Sequence, residues 1–248
     1  MVDIPSNLQV VRDKIAAAAA KRVSEYQFIQ PQLVAVSKFH PAESVIRAYE
    51  AGQRSFGENY VNELSEKATC SEVLDKCKEI QWHFIGHLQK SNVNKLLKVP
   101  NLYMIETVDS EKIASSIDNA WPKFGNQDNA KLKIMVQINT SREEAKSGCD
   151  IDSAASLVKY ILEKCPNLDF VGLMTIGEYG YDLSKGPNPD FCTLCMSKTK
   201  ICQELDLNPK EVKLSMGMST DYEHAIELGS SFIRVGTAIF GDRPKKPT

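Results

Sequence analysis

Short apolar runs alternate with amphipathic stretches along the whole chain. The run Leu33–Val36 lies between Pro31 and Pro41 and is rich in β-branched residues, which is typical of a buried parallel strand. Similar runs predict seven more strands, at residues 55–59, 82–86, 103–106, 133–139, 170–176, 213–216 and 232–235. Apolar residues at helical spacing predict helices between them, at about residues 42–51, 60–69, 89–97, 110–120, 151–164 and 191–204, and after Ser219.

The order of these elements predicts the fold. Ser6 and Gln9 form a capping-box signature, and the apolar pattern behind them predicts a helix over residues 7–24, before the first strand. Strands then alternate with helices, and no Pro- or Ser-rich linker divides the chain. We therefore predict an α/β fold with one domain over residues 1–248, a single (β/α)8 TIM barrel with an extra N-terminal helix. A doubly wound sheet is the alternative.

Composition narrows the class of protein. Of the 248 residues, 42% are hydrophobic and 25% are charged, and the formal net charge is −2. This balance gives no reason to expect nucleic acid or a membrane as a partner. The seven cysteines are scattered, and we recognise no signal peptide, membrane-length run or metal-ligand spacing. We expect a cytoplasmic protein without a metal site, and a mitochondrial fraction stays open.

Lys38 stands where the first strand ends. In a parallel α/β fold, the catalytic and ligand-binding residues lie at the C-terminal ends of the strands. Desolvation at the mouth of a core lowers the pKa of an amine, which prepares a lysine to form a Schiff base with a carbonyl compound. The alternative is a lysine that extends from the strand end into water.

Other polar residues are expected at the same end of the barrel. The segment Ser215–Asp221 and the pair Gly236-Thr237 follow the last two strands, where barrel enzymes commonly hold a phosphate on backbone N–H groups. Ser219 as an N-cap and Gly236 as a turn residue are the alternatives. A lysine and a phosphate site together predict a phosphorylated carbonyl ligand, either pyridoxal 5′-phosphate or a sugar phosphate. The remaining candidates at this end are Asn59, His83, Met174 and Arg234; His83 could equally be a hydrogen-bonded interior residue.

Six motifs resemble the YggS/PROSC family of pyridoxal-phosphate-binding proteins, which is related to the N-terminal barrel of alanine racemase. They span nearly the whole chain and comprise Val34–Lys38, Phe56–Tyr60, Trp82–Gln89, Gly172–Ile176, Ser215–Ser219 and Arg234–Thr237. The resemblance implies a monomeric barrel that holds the cofactor on Lys38 as a Schiff base. It places the phosphate at Ser219, Thr220, Gly236 and Thr237, and Arg234 on the pyridine nitrogen.

The same resemblance implies a role in vitamin B6 homeostasis. The protein would store pyridoxal 5′-phosphate or deliver it, with apo-enzymes that need this cofactor as candidate partners and without robust catalysis. A racemase acting on amino acids with this cofactor is the alternative, and a Schiff-base aldolase is a more distant one. Alanine racemase takes a second base from a separate C-terminal domain, for which the chain up to Thr248 leaves no room. We therefore name no catalytic residue.

Overall fold

Eight parallel strands form a closed barrel in chain order, and the last strand pairs with the first. The structure is a computed structural model that describes residues 2–124, 130–143, 146–178 and 180–242. The strands are β1 (Gln32–Val36), β2 (Ser55–Glu58), β3 (Gln81–Phe84), β4 (Leu102–Val108), β5 (Leu132–Gln137), β6 (Leu168–Met174), β7 (Lys213–Ser215) and β8 (Phe232–Val235). The predicted TIM barrel is confirmed.

Helices surround the barrel and connect consecutive strands. They are α1 (Ile4–Ala20), α2 (Ala42–Glu50), α3 (Val61–Thr69), α4 (Ser71–Lys76), α5 (Val93–Leu97), α6 (Glu111–Phe124), α7 (Ala154–Lys164), α8 (Pro189–Glu204), α9 (Tyr222–Glu227) and α10 (Thr237–Phe240). The sequence pattern did not predict α4 and α10, because six and four residues are too few to establish a helical period. The other helices lie close to their predicted positions.

The barrel interior is filled by large apolar side chains. Val34, Met104, Met135, Met174 and Phe232 form one buried cluster there. A second, larger cluster lies between the outer faces of the strands and the helices, so most strands are buried on both sides. This explains why their sequences read as continuous apolar runs rather than as alternating ones.

The first helix begins earlier than predicted. Asp3 is the N-cap, and its carboxylate accepts hydrogen bonds from the backbone N–H and the hydroxyl of Ser6, at 3.2 and 2.8 Å. The predicted capping box of Ser6 and Gln9 is therefore wrong, since both residues lie inside the helix. Pro5 is compatible with this start, because the first helical positions need no N–H donor.

The first helix belongs to the outer layer of helices, where it packs against α2, α9 and α10. Asn7 donates a hydrogen bond to the carbonyl of Ile239 at 3.0 Å. Arg22 follows the helix in the sequence and is buried, and it donates to the carbonyls of Ile226 and Ser230 at 2.6 Å each. The N-terminal segment is thus bound to the last elements of the barrel. Among the described residues, the helices are all too short or too polar to span a lipid bilayer.

Candidate functional site

A cavity of about 410 Å³ opens at the C-terminal end of the barrel. It brings together the predicted site residues except His83 and Ser215. The predicted residues on its wall are Lys38, Asn59, Met174, Ser219, Thr220, Arg234, Gly236 and Thr237. Val36, His40, Ile85, Ile176, Met218 and Ala238 complete the wall. Residues from both ends of the sequence therefore meet in one concave site, as the barrel topology requires.

Lys38 lies in a tight turn two residues beyond the end of β1. The backbone N–H of His40 donates to the carbonyl of Ser37 at 3.0 Å, which closes the turn over Lys38 and Phe39. Phe39 has a φ of 67°, a left-handed conformation that is unusual for a bulky residue. The turn lets β1 end at the cavity and places the Lys38 side chain on its wall.

The loops after β7 and β8 form the adjoining part of the cavity wall, since β8 pairs with β1. The loop after β7 bends at Gly217, where φ is 97° and a Cβ would lie 2.6 Å from the Cβ of Ala225. Asp221 is the N-cap residue of α9 and accepts the N–H of Met218 at 2.6 Å. The alternative role of Ser219 as a helix cap is therefore wrong. Its hydroxyl instead accepts the N–H of Gly236 at 3.2 Å, which links the loops after β7 and β8.

The two linked loops present backbone N–H groups to the cavity. The amides of Ser219, Thr220, Thr237 and Ala238 donate no hydrogen bond to any other described residue. The amide of Gly236 is different, because it is already bonded to Ser219. Converging amides of this kind form anion-binding concavities. Four amides of these loops are therefore available as donors, whereas the amide of Gly236 is not.

A chain of buried polar groups lies beneath the cavity. Arg234 donates to the hydroxyl of Ser215 at 2.6 Å and to the carbonyl of Thr175 at 2.7 Å. The Ser215 hydroxyl in turn donates to Glu106 at 2.6 Å, and Nδ1 of His83 lies 2.7 Å from the other carboxylate oxygen of Glu106. His83 and Ser215 are therefore interior residues that act on the site through Glu106 and Arg234.

Charge is balanced within this buried chain, which we call the Arg234 network (Arg234, Ser215, Glu106 and His83). Burial alone would raise the pKa of Glu106, but the hydrogen bond with His83, the charge of Arg234 and the Ser215 hydroxyl hold it below its ordinary range. Burial lowers the pKa of Arg234, which still remains charged at neutral pH. Since an ionised carboxylate can only accept hydrogen bonds, Nδ1 of His83 is the donor to Glu106.

Sequence reasoning missed two polar residues of the site. His40 lines the cavity, and its only signal in the sequence is its position two residues after Lys38. Glu106 is fully buried below the cavity, where it pairs with residues 23 and 109 positions away. Residues that lie so far apart in the sequence form no motif from which their contact could be predicted. The end of the predicted fourth strand at Glu106 is the one signal that could have indicated it.

The fold and this site define the class of protein. Residues 7–244 match the family described as alanine racemase, N-terminal domain, and the chain belongs to this family. It is 54% identical over 243 residues to the pyridoxal phosphate homeostasis protein of Homo sapiens, covering 97% of this chain and 88% of the human one. The predicted family resemblance is confirmed.

Solved structures agree with the sequence relationship. The structure of PipY from Synechococcus elongatus without PLP superposes with a TM-score of 0.79 at 28% identity, over 96% of this chain and all (100%) of PipY. PipY with PLP bound gives a TM-score of 0.72 at 29% identity, over 90% of this chain and 100% of PipY. An alanine racemase from Clostridium difficile has a TM-score of 0.66 at 16% identity and shares the fold.

Proposed function

We propose that this protein binds pyridoxal 5′-phosphate as a Schiff base on Lys38 and acts in intracellular vitamin B6 homeostasis, by storing or delivering the cofactor. The observation that carries the proposal is the cavity, whose wall contains Lys38 and four amides that donate to no other described residue. The name of the human relative and the PLP-bound state of PipY support the choice of ligand.

The residues of the cavity fit each part of this cofactor. The amides of Ser219, Thr220, Thr237 and Ala238 suit a phosphate, and the amine of Lys38 suits an aldehyde. The Asn59 Oδ1 atom is buried without a hydrogen-bond partner in the described part of the chain, so a polar group of a ligand can pair with it. A volume of about 410 Å³ lies within the range of small-molecule sites.

The Arg234 guanidinium supports a holding role rather than catalysis. Pyridoxal phosphate supplies an electron-withdrawing ring, which stabilises a carbanion best when its nitrogen is protonated. A guanidinium only donates hydrogen bonds, so a ring nitrogen placed against Arg234 has to stay unprotonated. Ser215 and Thr175 fix the orientation of this guanidinium at the cavity. We therefore expect no significant racemisation of alanine or serine by the saturated protein.

Chemical trapping tests the proposed attachment. The protein is saturated with pyridoxal 5′-phosphate, reduced with borohydride and digested, and the modified peptide is identified by mass spectrometry. We expect one equivalent on Lys38 and loss of the visible absorbance in Lys38→Ala, which should remain folded because Lys38 lies on the cavity wall and not in the core. Stoichiometric modification of Lys90 or Lys146 instead would refute the assignment.

Two assays test the proposed role. In the first, the loaded protein is mixed with an apo-enzyme, and recovery of enzyme activity is compared with recovery from the same concentration of free cofactor. If the protein delivers the cofactor, the loaded wild-type protein restores the activity of the apo-enzyme, and Lys38→Ala does not. The second assay follows alanine and serine by chiral chromatography; turnover that depends on Lys38 would favour the racemase over a homeostasis role.

A further inference from the structure

A buried lysine outside the cavity holds the turn that carries Lys38. Lys67, on α3, is only 6% exposed, and its ammonium donates to Glu58 at 2.6 Å and to Glu63 at 2.7 Å. Its third hydrogen bond, at 2.7 Å, goes to the backbone carbonyl of Ser37. We call Lys67, Glu58 and Glu63 the Lys67 cluster. It connects the end of β2, the helix α3 and the turn after β1.

The cluster contacts the backbone on both sides of Lys38. The Ser37 carbonyl belongs to the peptide group before Lys38, and it is bonded to Lys67. The N–H of Phe39 belongs to the peptide group after Lys38, and it donates to the same Glu63 oxygen that Lys67 contacts. The two peptide planes that flank Lys38 are therefore both fixed by one ion cluster.

The Ser37 side chain adds a third connection between the Lys67 cluster and the turn. Its hydroxyl donates to Glu58 at 2.6 Å, on the oxygen that Lys67 also contacts. Burial raises the pKa of Glu58, while the ammonium of Lys67 and this hydroxyl act in the opposite direction. Lys67 therefore compensates a carboxylate that would otherwise lie in the protein interior without a counter-charge.

A turn of this shape needs external support. Phe39 has its left-handed φ at the third position of a four-residue turn, where glycine is normally favoured. Such a conformation persists only where the surrounding structure holds it. Hydrogen bonds to both flanking peptide groups provide that support. They also decide the direction in which the Lys38 side chain leaves the backbone.

We propose that Lys67 is a positioning residue for Lys38, which orients the reactive amine toward the aldehyde without touching the ligand. Lys67 does not line the cavity, so it acts only through the turn. The inference rests on the proposed attachment of pyridoxal 5′-phosphate to Lys38. It predicts that loss of the Lys67 cluster impairs reaction of the amine and leaves recognition of the phosphate and ring intact.

Two ligands separate these effects. The aldehyde of pyridoxal 5′-phosphate condenses with the Lys38 amine to form a C=N bond, and its oxygen leaves as water. Pyridoxine 5′-phosphate has an alcohol in place of the aldehyde and binds only non-covalently. Stopped-flow absorbance gives the rate of Schiff-base formation for the first, and calorimetry gives the affinity for the second. We expect Lys67→Met to slow formation at least about tenfold, since small misplacements of a reacting group have effects of that order, and to change the pyridoxine 5′-phosphate affinity less than about twofold.

Matched variants control for a general loss of structure. Lys95→Met removes a lysine that bonds to the exposed side chain of Asn62, and we expect wild-type behaviour with both ligands. Lys67→Arg retains the charge and donors and should recover part of the rate. Should Lys67→Met not fold, Glu63→Gln tests the same connection at a partly exposed residue, and Glu58→Gln/Lys67→Met removes both buried charges together.

The outcomes are distinguishable. A selective loss of Schiff-base formation in Lys67→Met or Glu63→Gln supports the positioning role. Wild-type rates in these variants would overturn it. An equal fold loss in the rate of Schiff-base formation and in the affinity for pyridoxine 5′-phosphate would also overturn it, since that result indicates a structural role alone. If the wild-type protein itself forms no adduct on Lys38 but binds pyridoxine 5′-phosphate, the proposed attachment fails, and the positioning role fails with it for that separate reason.

Discussion

Replacement of Glu106 by glutamine tests the Arg234 network most directly. The amide has nearly the same shape as the carboxylate, but it removes the negative charge and replaces one acceptor oxygen by an NH2 donor, so only one of the hydrogen bonds from Ser215 and His83 keeps its present direction. Glu106 and His83 are fully buried, and Arg234 is 4% exposed. The variant therefore leaves a buried guanidinium without the carboxylate that balances it through Ser215.

The expected cost follows from this burial. Removing one partner of a buried ion pair typically destabilises a protein by about 3–5 kcal/mol. Here the charges are separated by one hydroxyl, and Asp221 also attracts Arg234, so we expect the lower half of that range, about 3–4 kcal/mol. Ser215→Ala is a matched control, because it removes the bridging hydroxyl and retains both charges. Its cost should be smaller, about 1–3 kcal/mol for an unsatisfied buried group.

Urea unfolding of the ligand-free protein at pH 7 and at lower pH measures these costs. The pKa of Glu106 is lowered in the fold, so its contribution is fully present above the ordinary glutamate pKa of about 4.3 and is lost as pH falls through the lower folded value. The gap between wild type and Glu106→Gln should therefore close below about pH 4. A gap under about 1 kcal/mol at pH 7, or Glu106→Gln/Arg234→Met no more stable than Glu106→Gln alone, would refute the charge balance.

Three further predictions concern the cavity. Pyridoxal should bind at least about tenfold more weakly than pyridoxal 5′-phosphate, because several amide contacts to the phosphate are lost; equal affinities by fluorescence titration would count against the amide cradle. Ser219→Pro should weaken cofactor binding more than Ser219→Ala, since proline removes the N–H as well as the hydroxyl, and calorimetry would show the opposite order if the hydroxyl alone mattered. Gly86→Ala would place a Cβ 1.8 Å from the carbonyl oxygen of Asn59, so we expect about 1–3 kcal/mol of destabilisation and weaker binding; an unchanged urea midpoint would contradict this close approach.

The features that could be predicted from sequence are those encoded by neighbouring residues. Each strand is a short apolar run next to turn residues, so the barrel and the end of β1 near Lys38 followed from local patterns. The loops at Ser219 and Gly236 were recognisable for the same reason. The start of α1 was predicted at the wrong residue, because Asp3 and Ser6 are both good N-caps and the local pattern does not rank them.

The features that could not be predicted depend on contacts between distant residues. The sequence left open whether His83 lines the cavity or is an interior residue, because its depth depends on its contact with Glu106 in the next strand. The amide of Gly236 was expected to bind phosphate, but Ser219 occupies it from a different loop. Lys67 reads in the sequence as one more lysine on an amphipathic helix, and its contact with the Ser37 carbonyl, in the turn that contains Lys38, follows only from the folded arrangement.

The position of α1 has a consequence for the order in which the chain can fold. Its buried face consists of Ile4, Leu8, Val11, Ile15 and Ala18, and its neighbours include α9 and α10 near the other end of the sequence. During synthesis, this apolar face emerges before α9 and α10, and the part that they cover stays exposed to water until those helices leave the ribosome. Barrel closure is thus a late, long-range event, and a nascent chain that lacks α9 and α10 should depend on chaperones that cover apolar helices.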